Sequence, residues 1–351
     1  MTNQIICGDA LKVLKTFPNA SVNCCVTSPP YYGLRDYGVN GQIGLENDVA
    51  DYILRLVEIF REVRRVLKDD GTLWLNIADS YSGSGKGRNS DGSVSDSIYK
   101  CKEQTVRGRI SGMLFKAISS EAKPKDLMGI PWLLALMLRC DGWYLRQDII
   151  WHKPNTMPEA VKDRCTKAHE YLFLLSKSRR YYYDYEAIKE PCVGFDNSSP
   201  RGSIGTLTPN AGRRKGNSKT FRGGGAYTNN KAFNNSSSAK RDSHGNADNP
   251  TGLRNKRSVW TISTQGLKGL NGNSHFATFP EKLAEPCILA GCPEGGTVLD
   301  PFAGSGTTGV VAKKHNRNYI MIDINPEYCD LQRNRLLLTI LRERVGCCDE
   351  P

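Results

Sequence analysis

Two short stretches of this 351-residue chain carry residue types and spacings suited to chemistry. The first is Thr27-Ser28-Pro29-Pro30-Tyr31, which follows an apolar run ending at Val26. It sets a small hydroxyl, two rigid rings and an aromatic face in direct succession at the end of an expected strand. The proline rings fix φ and hold the backbone in one shape. By itself the segment is equally a strand terminus with a packed tyrosine.

The second stretch is Val298–Gly309, VLDPFAGSGTTG. A strand is expected to end at Asp300, a turn to hold Gly304 and Gly306, and a helix to begin near Thr307. Glycines there let backbone approach a ligand closely, and a helix N-terminus offers unpaired N–H groups. The Gly-Lys-Ser/Thr ending of a phosphate-binding P-loop is missing. The spacing is G-x-G-x-x-G with an acidic Asp-Pro-Phe lead-in. The next expected strand ends at Asp323, where doubly wound nucleoside sites grip a ribose diol. Together these features imply a nucleoside cofactor at the carboxyl end of a sheet.

The elements that must position these residues alternate between strand and helix. A short strand and turn are expected at 4–10 and a strand at 22–27. Residues 48–68 follow the helical period, with Val49, Tyr52, Ile53, Leu56, Val57, Phe60, Val63 and Leu67 on one face, Asn47 or Asp48 as cap and Gly71 after the end. A strand over 72–78, a helix near 126–141 and strands at 143–153 and 170–178 follow. The last third predicts a helix over 280–291 with Pro280 in its first turn, a strand at 297–300, a helix near 306–316, a strand at 318–324 and a helix from Pro326. This alternation predicts an α/β fold: a Rossmann-like, mostly parallel sheet with helices on both faces.

Two segments interrupt it. Residues 81–125 carry a net +5 and residues 191–257 a net +9, leaving −2 on the rest of a chain whose total is +12. Both are rich in Gly, Ser or Asn and lack apolar periodicity. Charge concentrated in this way is the footprint of a polyanion partner, or else of solvated loops. The twelve cysteines are scattered without a C-x-x-C pair, which fits neither a disulfide framework nor a zinc site. Cys287 and Cys292 come nearest to ligand spacing; no metal is expected. The opening residues read as folded protein and no apolar run is long enough to span a bilayer, so a soluble, intracellular chain is expected.

Taken jointly, the segments TSPPY and DPFAGSGTT resemble the amino-methyltransferases of DNA that use S-adenosylmethionine. Their order in the chain resembles the permuted β class, with target recognition between the two halves. The resemblance covers about 1–80, 126–190 and 258–351. It implies a catalytic domain formed by 1–190, the target-base half, and 258–351, the cofactor half, with 81–125 a basic loop and 191–257 a target-recognition segment. It further implies that duplex DNA is the partner and that a base is flipped into a pocket. Ser28 and the Pro29 carbonyl would accept the N–H bonds of its exocyclic amine, with Pro30 bracing the turn and Tyr31 stacking on the base.

Asp300, Phe302, Gly304, Ser305, Gly306, Thr307 and Asp323 would hold the cofactor. Asp9, in a segment similar to one that approaches the adenine, and Phe279, in one that lines the methionine end, would join them. Asp9 reads equally well as the cap of a helix over 10–16. DNA contacts are expected from Arg35, Lys153, Arg213, Arg214, Lys215, Arg222, Arg254 and Arg257. His152 and Asn155 either touch the target or end their strand, and His169 reads as structural. In this family Ser-Pro-Pro-Tyr more often accompanies cytosine N4 and Asp-Pro-Pro-Tyr adenine N6, so cytosine N4 is favoured. Adenine N6 stays open, as do RNA or protein amides and a non-catalytic DNA-binding role. A homodimer, a companion restriction endonuclease and a cytoplasmic location in a bacterial, archaeal or phage-infected cell complete what the family implies.

Overall fold

The computed structural model describes residues 3–46, 48–82, 123, 125–191, 253–266 and 280–345. The contacts divide the chain into Met1–Ile188 with Arg257–Pro351 and a second unit, Lys189–Lys256.

The first unit is built on a sheet of eight strands: β1 (Gln4–Cys7), β2 (Val22–Thr27), β3 (Leu67–Ile77), β4 (Tyr144–His152), β5 (His169–Ser176), β8 (Val259–Thr261), β9 (Thr297–Asp300) and β10 (Asn318–Asp323). In the second unit the described residues include a two-residue antiparallel pairing of β6 (Glu190–Pro191) with β7 (Leu253–Arg254). The strand order of the large sheet is β1-β10-β9-β2-β3-β5-β4-β8. All its strands run parallel except β5, which is antiparallel to both β3 and β4. The expected Rossmann-like class is therefore observed, with β8 as a strand the sequence pattern did not reveal.

Side chains alternate across each strand, and the alternation sorts them into two cores. Cys25, Leu73, Leu75, Phe173, Leu175, Ile320 and Ile322 pack with α1 (Ala10–Lys15), α2 (Val49–Val66) and α3 (Ile130–Cys140). Cys24, Val26, Trp74, Leu172, Leu174, Val298 and Met321 pack with α4 (Glu281–Gly291), α5 (Thr307–Lys314) and Leu336 of α6 (Pro326–Val345). No helix among the described residues is long and apolar enough to cross a membrane.

Among the boundaries that differ from the sequence pattern, three helix ends show their cause. Helix α2 stops at Val66, because Leu67 is already extended (φ −66°, ψ 142°). Gly71 does not end the helix. It sits in an irregularity where β3 leaves register with β2, and a Cβ there would lie 3.0 Å from Lys68 O and 3.1 Å from Asn23 O. Helix α3 begins at Ile130 rather than 126, after Gly129 at φ 70°. The carboxylate of Asp79 accepts from the N–H groups of Gly129 and Ile130 at 3.1 Å each and so caps that helix from the end of β3. Asp48 caps α2 through Asp51 N at 2.7 Å; the alternative, Asn47, lies outside the described residues. Pro280 is the residue before α4 rather than in its first turn.

Helix α4 meets the sheet without room to spare at Gly291, where a Cβ would lie 2.5 Å from Trp74 Nε1, 2.7 Å from Thr72 Oγ1 and 2.8 Å from Cys24 Sγ. Overpacking of this kind costs about 1–3 kcal/mol. Gly291→Ala is expected to lower the thermal unfolding midpoint by several degrees. Gly266→Ala, where nothing lies within 4 Å, leaves it unchanged in the same calorimetric comparison.

Candidate active site

Parallel strands deliver their carboxyl ends to one edge of the sheet, and ligands of open α/β sheets bind where the strand order reverses. Here β9 lies against β2, and the chain leaves that pair in opposite directions. The edge opens into a cavity of about 830 Å³ lined by Asp9, Ser28, Pro29, Pro30, Tyr31, Arg35, Lys153, Phe302, Gly304, Ser305, Thr307 and Asp323, among others. The two stretches singled out in the sequence thus meet in one concave site. Asp9 both lines it and caps α1, accepting from Lys12 N at 2.9 Å. Phe279 lies outside the described residues.

Asp300 was expected at the ligand, but the fold places it behind the cavity wall, 1% exposed. Its carboxylate accepts from Thr27 Oγ1 at 2.6 Å, Thr308 Oγ1 at 2.7 Å and Phe302 N at 3.1 Å. Thr27 ends β2 and Thr308 lies in the first turn of α5. One buried carboxylate therefore ties the Ser-Pro-Pro-Tyr turn to the glycine turn. Burial pushes its pKa up to about 6, against the pull of those three donors.

The three glycines of the turn have separate causes. Gly304 adopts φ 51°, and nothing lies within 4 Å of where its Cβ would stand. Gly306 is not in the cavity wall: a Cβ there would meet Gln332 Cγ at 2.9 Å, so this glycine admits α6 rather than a ligand. Gly309 admits Met321 of β10, whose Sδ would lie 2.4 Å from a Cβ. Asp323 faces the cavity and accepts from Gly304 N at 2.7 Å and Asn325 N at 2.9 Å. Burial raises its pKa to about 6 even so. Backbone N–H groups hold this carboxylate in place while it stays in the cavity wall.

Tyr31 presents its ring in the cavity wall while its hydroxyl enters a polar network. It donates to Glu170 Oε2 at 2.7 Å, with Asn76 Oδ1 at 3.2 Å, and accepts from Ser28 Oγ at 3.3 Å. Asn76 Nδ2 donates to Glu170 Oε2 and to Tyr171 O, each at 3.1 Å. Lys153 Nζ closes the network on Glu170 Oε1 and lies 4.2 Å from the centre of the Trp151 ring. Burial, then the nearby Glu170 charge, raise the Tyr31 pKa well above 10 and keep it a donor. Tyr52 Oη donates to Pro30 O at 2.8 Å, bracing the turn from α2.

Sequence reading did not find Asn76 or Glu170. The signal was present as a polar side chain next to an apolar run in each of two strands, Asn76 after Leu73-Trp74-Leu75 and Glu170 before Tyr171-Leu172-Phe173. Its meaning depended on β5 running antiparallel, which brings the start of that strand, His169 and Glu170, to the cavity edge. His169, read as structural, lines the cavity as well.

The family profile described as DNA methylase, of the N6/N4 type, matches residues 22–334. The type II methyltransferase M.Cfr9I of Citrobacter freundii is 43% identical over 94% of this chain and 86% of its own length. The chain belongs to the DNA methylase family. Among solved structures, the PvuII DNA methyltransferase (cytosine-N4-specific) shares the fold with a TM-score of 0.57 at 18% identity, covering 99% of this chain and 94% of that one. TTHA0409 of Thermus thermophilus, solved in complex with S-adenosyl-L-methionine, gives a TM-score of 0.51 at 21% identity, covering 96% and 94%. Methylases of this family depend on S-adenosylmethionine.

The methylase distributes its expected DNA contacts unevenly. Arg35 lines the cavity, and its carbonyl accepts from Gln42 Nε2 at 3.1 Å. Lys153 lines the cavity with its ammonium ion-paired to Glu170. Asn155 lies in a turn three residues beyond the end of β4 and lines the cavity; it accepts from Thr264 N at 2.9 Å and donates to Thr264 O at 3.3 Å. His152 lies 3.2 Å from Thr261 Oγ1. Arg254 pairs with Glu190 at 3.0 Å, and Arg257 is exposed. Arg213, Arg214, Lys215 and Arg222 lie outside the described residues.

The Asp300 carboxyl gives a signed pH prediction. Its folded pKa of about 6 exceeds the ordinary 3.8, so below about pH 4 it is neutral in both states. As pH rises from about 4 to about 6, only the unfolded form ionises freely, and the group's contribution to stability falls. Asp300→Asn has no such titration. The difference in melting midpoint, variant minus parent, is expected to grow in the variant's favour across that window. Asp300→Ala, which orphans three buried donors, is expected to cost about 3 kcal/mol in denaturant titration at pH 7.

Proposed function

We propose that the methylase transfers the methyl group of S-adenosylmethionine to the N4 amine of a cytosine flipped out of duplex DNA. The observation that carries this reading is Ser28, a neutral hydroxyl, heading the Pro-Pro-Tyr turn in the same cavity as Gly304 and Asp323. The fit to the nucleoside end rests on the Asp323 carboxylate and on the open space over Gly304. When bound, S-adenosylmethionine supplies an electrophilic sulfonium methyl.

The chain's own residues then position the acceptor. Ser28 Oγ and the Pro29 carbonyl accept the two N–H bonds of the amine and turn its lone pair toward the methyl. Tyr31 offers its ring to the flipped base. Methyl transfer would leave S-adenosylhomocysteine as the leaving group, and the methylated amine would release one proton, past the Ser28 and Pro29 acceptors, to solvent. Rate enhancement comes from orientation and from preorganised acceptors in a site shielded from water. Phosphates are engaged by the basic segments, and the type II designation of M.Cfr9I supports a role beside a restriction nuclease.

Three measurements test this. Nucleoside mass spectrometry of plasmid DNA methylated in vitro should yield N4-methylcytosine; N6-methyladenine instead would overturn the base assignment while leaving the site. Ser28→Ala should slow single-turnover transfer at least about 10²-fold, and an unchanged rate would remove Ser28 from the reaction. Third, a ribose diol donates to the ionised Asp323, whose free-form pKa is about 6. Affinity for S-adenosylhomocysteine, read by calorimetry, should be level above that pH and fall about tenfold per unit below it. Asp323→Asn should bind weakly with no such slope.

A further inference from the structure

A serine hydroxyl can donate or accept. To receive an amine N–H it must send its own proton elsewhere, and the network around Tyr31 dictates where. We infer that Glu170, together with Asn76 and through the Tyr31 hydroxyl, fixes the hydrogen-bond direction of Ser28, so that Ser28 meets the target amine only as an acceptor. This makes Glu170 a positioning residue, one that touches neither base nor cofactor. The inference rests on the reading of Ser28 given above.

The direction follows from which partners lack protons. Lys153 holds one oxygen of Glu170 by an ion pair, and Glu170 Oε2 stands 2.7 Å from Tyr31 Oη. A carboxylate accepts only, so the Tyr31 proton points to it. The second neighbour of that hydroxyl, Asn76 Oδ1 at 3.2 Å, is also an acceptor. Its amide cannot flip without losing the two bonds from Nδ2 to Glu170 and to Tyr171 O. Neither neighbour can donate to Tyr31, which leaves a lone pair of Oη to receive a proton from Ser28 at 3.3 Å. The lone pairs of Ser28 Oγ then remain for the cavity, which Ser28 lines. The chain of donation runs from target amine to Ser28, to Tyr31, to Glu170, with Lys153 balancing the charge. Charge-assisted bonds of this kind are about twice as strong as neutral ones, and the sequence of donors and acceptors has no ambiguous member.

The test is a set of single-turnover measurements on the full chain, with tritiated S-adenosylmethionine at saturation and unmethylated plasmid DNA of mixed sequence. Tyr31→Phe keeps the ring and removes the relay. Glu170→Gln keeps the shape but adds an amide that can donate to Tyr31 and reverse the relay. Each is expected to slow methyl transfer about 10–100-fold, while the calorimetric Kd for S-adenosylhomocysteine stays within about twofold. The deciding readout is the combination with Ser28→Ala. If Glu170 acts through Ser28, Glu170→Gln in the Ser28→Ala background slows transfer less than about threefold further. If the two losses multiply, Glu170 acts on its own or through packing, and the inference falls. Should Glu170→Gln lose cofactor affinity or thermal stability, Tyr31→Phe, which removes one oxygen, carries the same comparison. If Ser28→Ala alone has no effect, the reading of Ser28 has failed instead. The identity of the methylated base bears on neither outcome, because any exocyclic amine needs the same acceptor.

Discussion

The buried carboxylate of Asp300 is the constraint on which the site depends. It receives Thr27 from the end of β2 and Thr308 from the start of α5, residues far apart in sequence. The fold brings β2 and β9 side by side, but neighbouring strands alone leave the loops beyond them free to choose their own paths. A carboxylate shared between both loops removes that freedom. Burying it is expensive, which is why its pKa rises; three short, well-aimed donors make the arrangement tolerable. A carboxylate has the acceptor capacity to serve all three at once.

Around that latch the glycine turn divides its labour. Gly304 opens the cavity and gives its N–H to Asp323, Gly306 makes room for Gln332, and Gly309 for Met321. Only the first of these faces the cavity. The other two pack the turn against α6 and β10, so the N-terminus of α5 is set by its neighbours before anything binds. On the opposite wall the single antiparallel strand serves a comparable end. Reversing β5 moves Glu170 from the far edge of the sheet to the cavity, opposite the end of β4.

Much of this was legible in the residues. The apolar face read off 48–68 is buried at Val49, Tyr52, Ile53, Leu56, Val57, Phe60 and Val63, because helical period and burial share one cause. Ser28, Pro29, Tyr31, Gly304 and Asp323 do converge, since strand-turn-helix signals fix which sheet edge a loop occupies. Other features needed the third dimension. Nothing local distinguishes an aspartate that meets a ligand from one that ties two loops together, and so Asp300 was assigned to the wrong side of the wall. Gly71 carried the mark of a helix end but serves a strand irregularity. Glu170 and Asn76 escaped notice because strand direction is not written in a strand's own residues. Lys153 read as a DNA contact from its place at a strand end on the rim of the site, and its ion-pair partner Glu170 comes from the strand beside it.

The two adjacent prolines have one more consequence. Neither has a backbone N–H, so between Ser28 and Tyr31 the main chain has only carbonyls to offer, and one of these is already taken by Tyr52. A pyrimidine bearing a keto oxygen in place of the amine would bring a lone pair up against lone pairs, with no proton to mediate. Leaving buried acceptors unmet costs about 1–3 kcal/mol each. On the proposed reading, the wall would turn away thymine and uracil by what it lacks, and a deaminated cytosine would lose its fit along with its nitrogen.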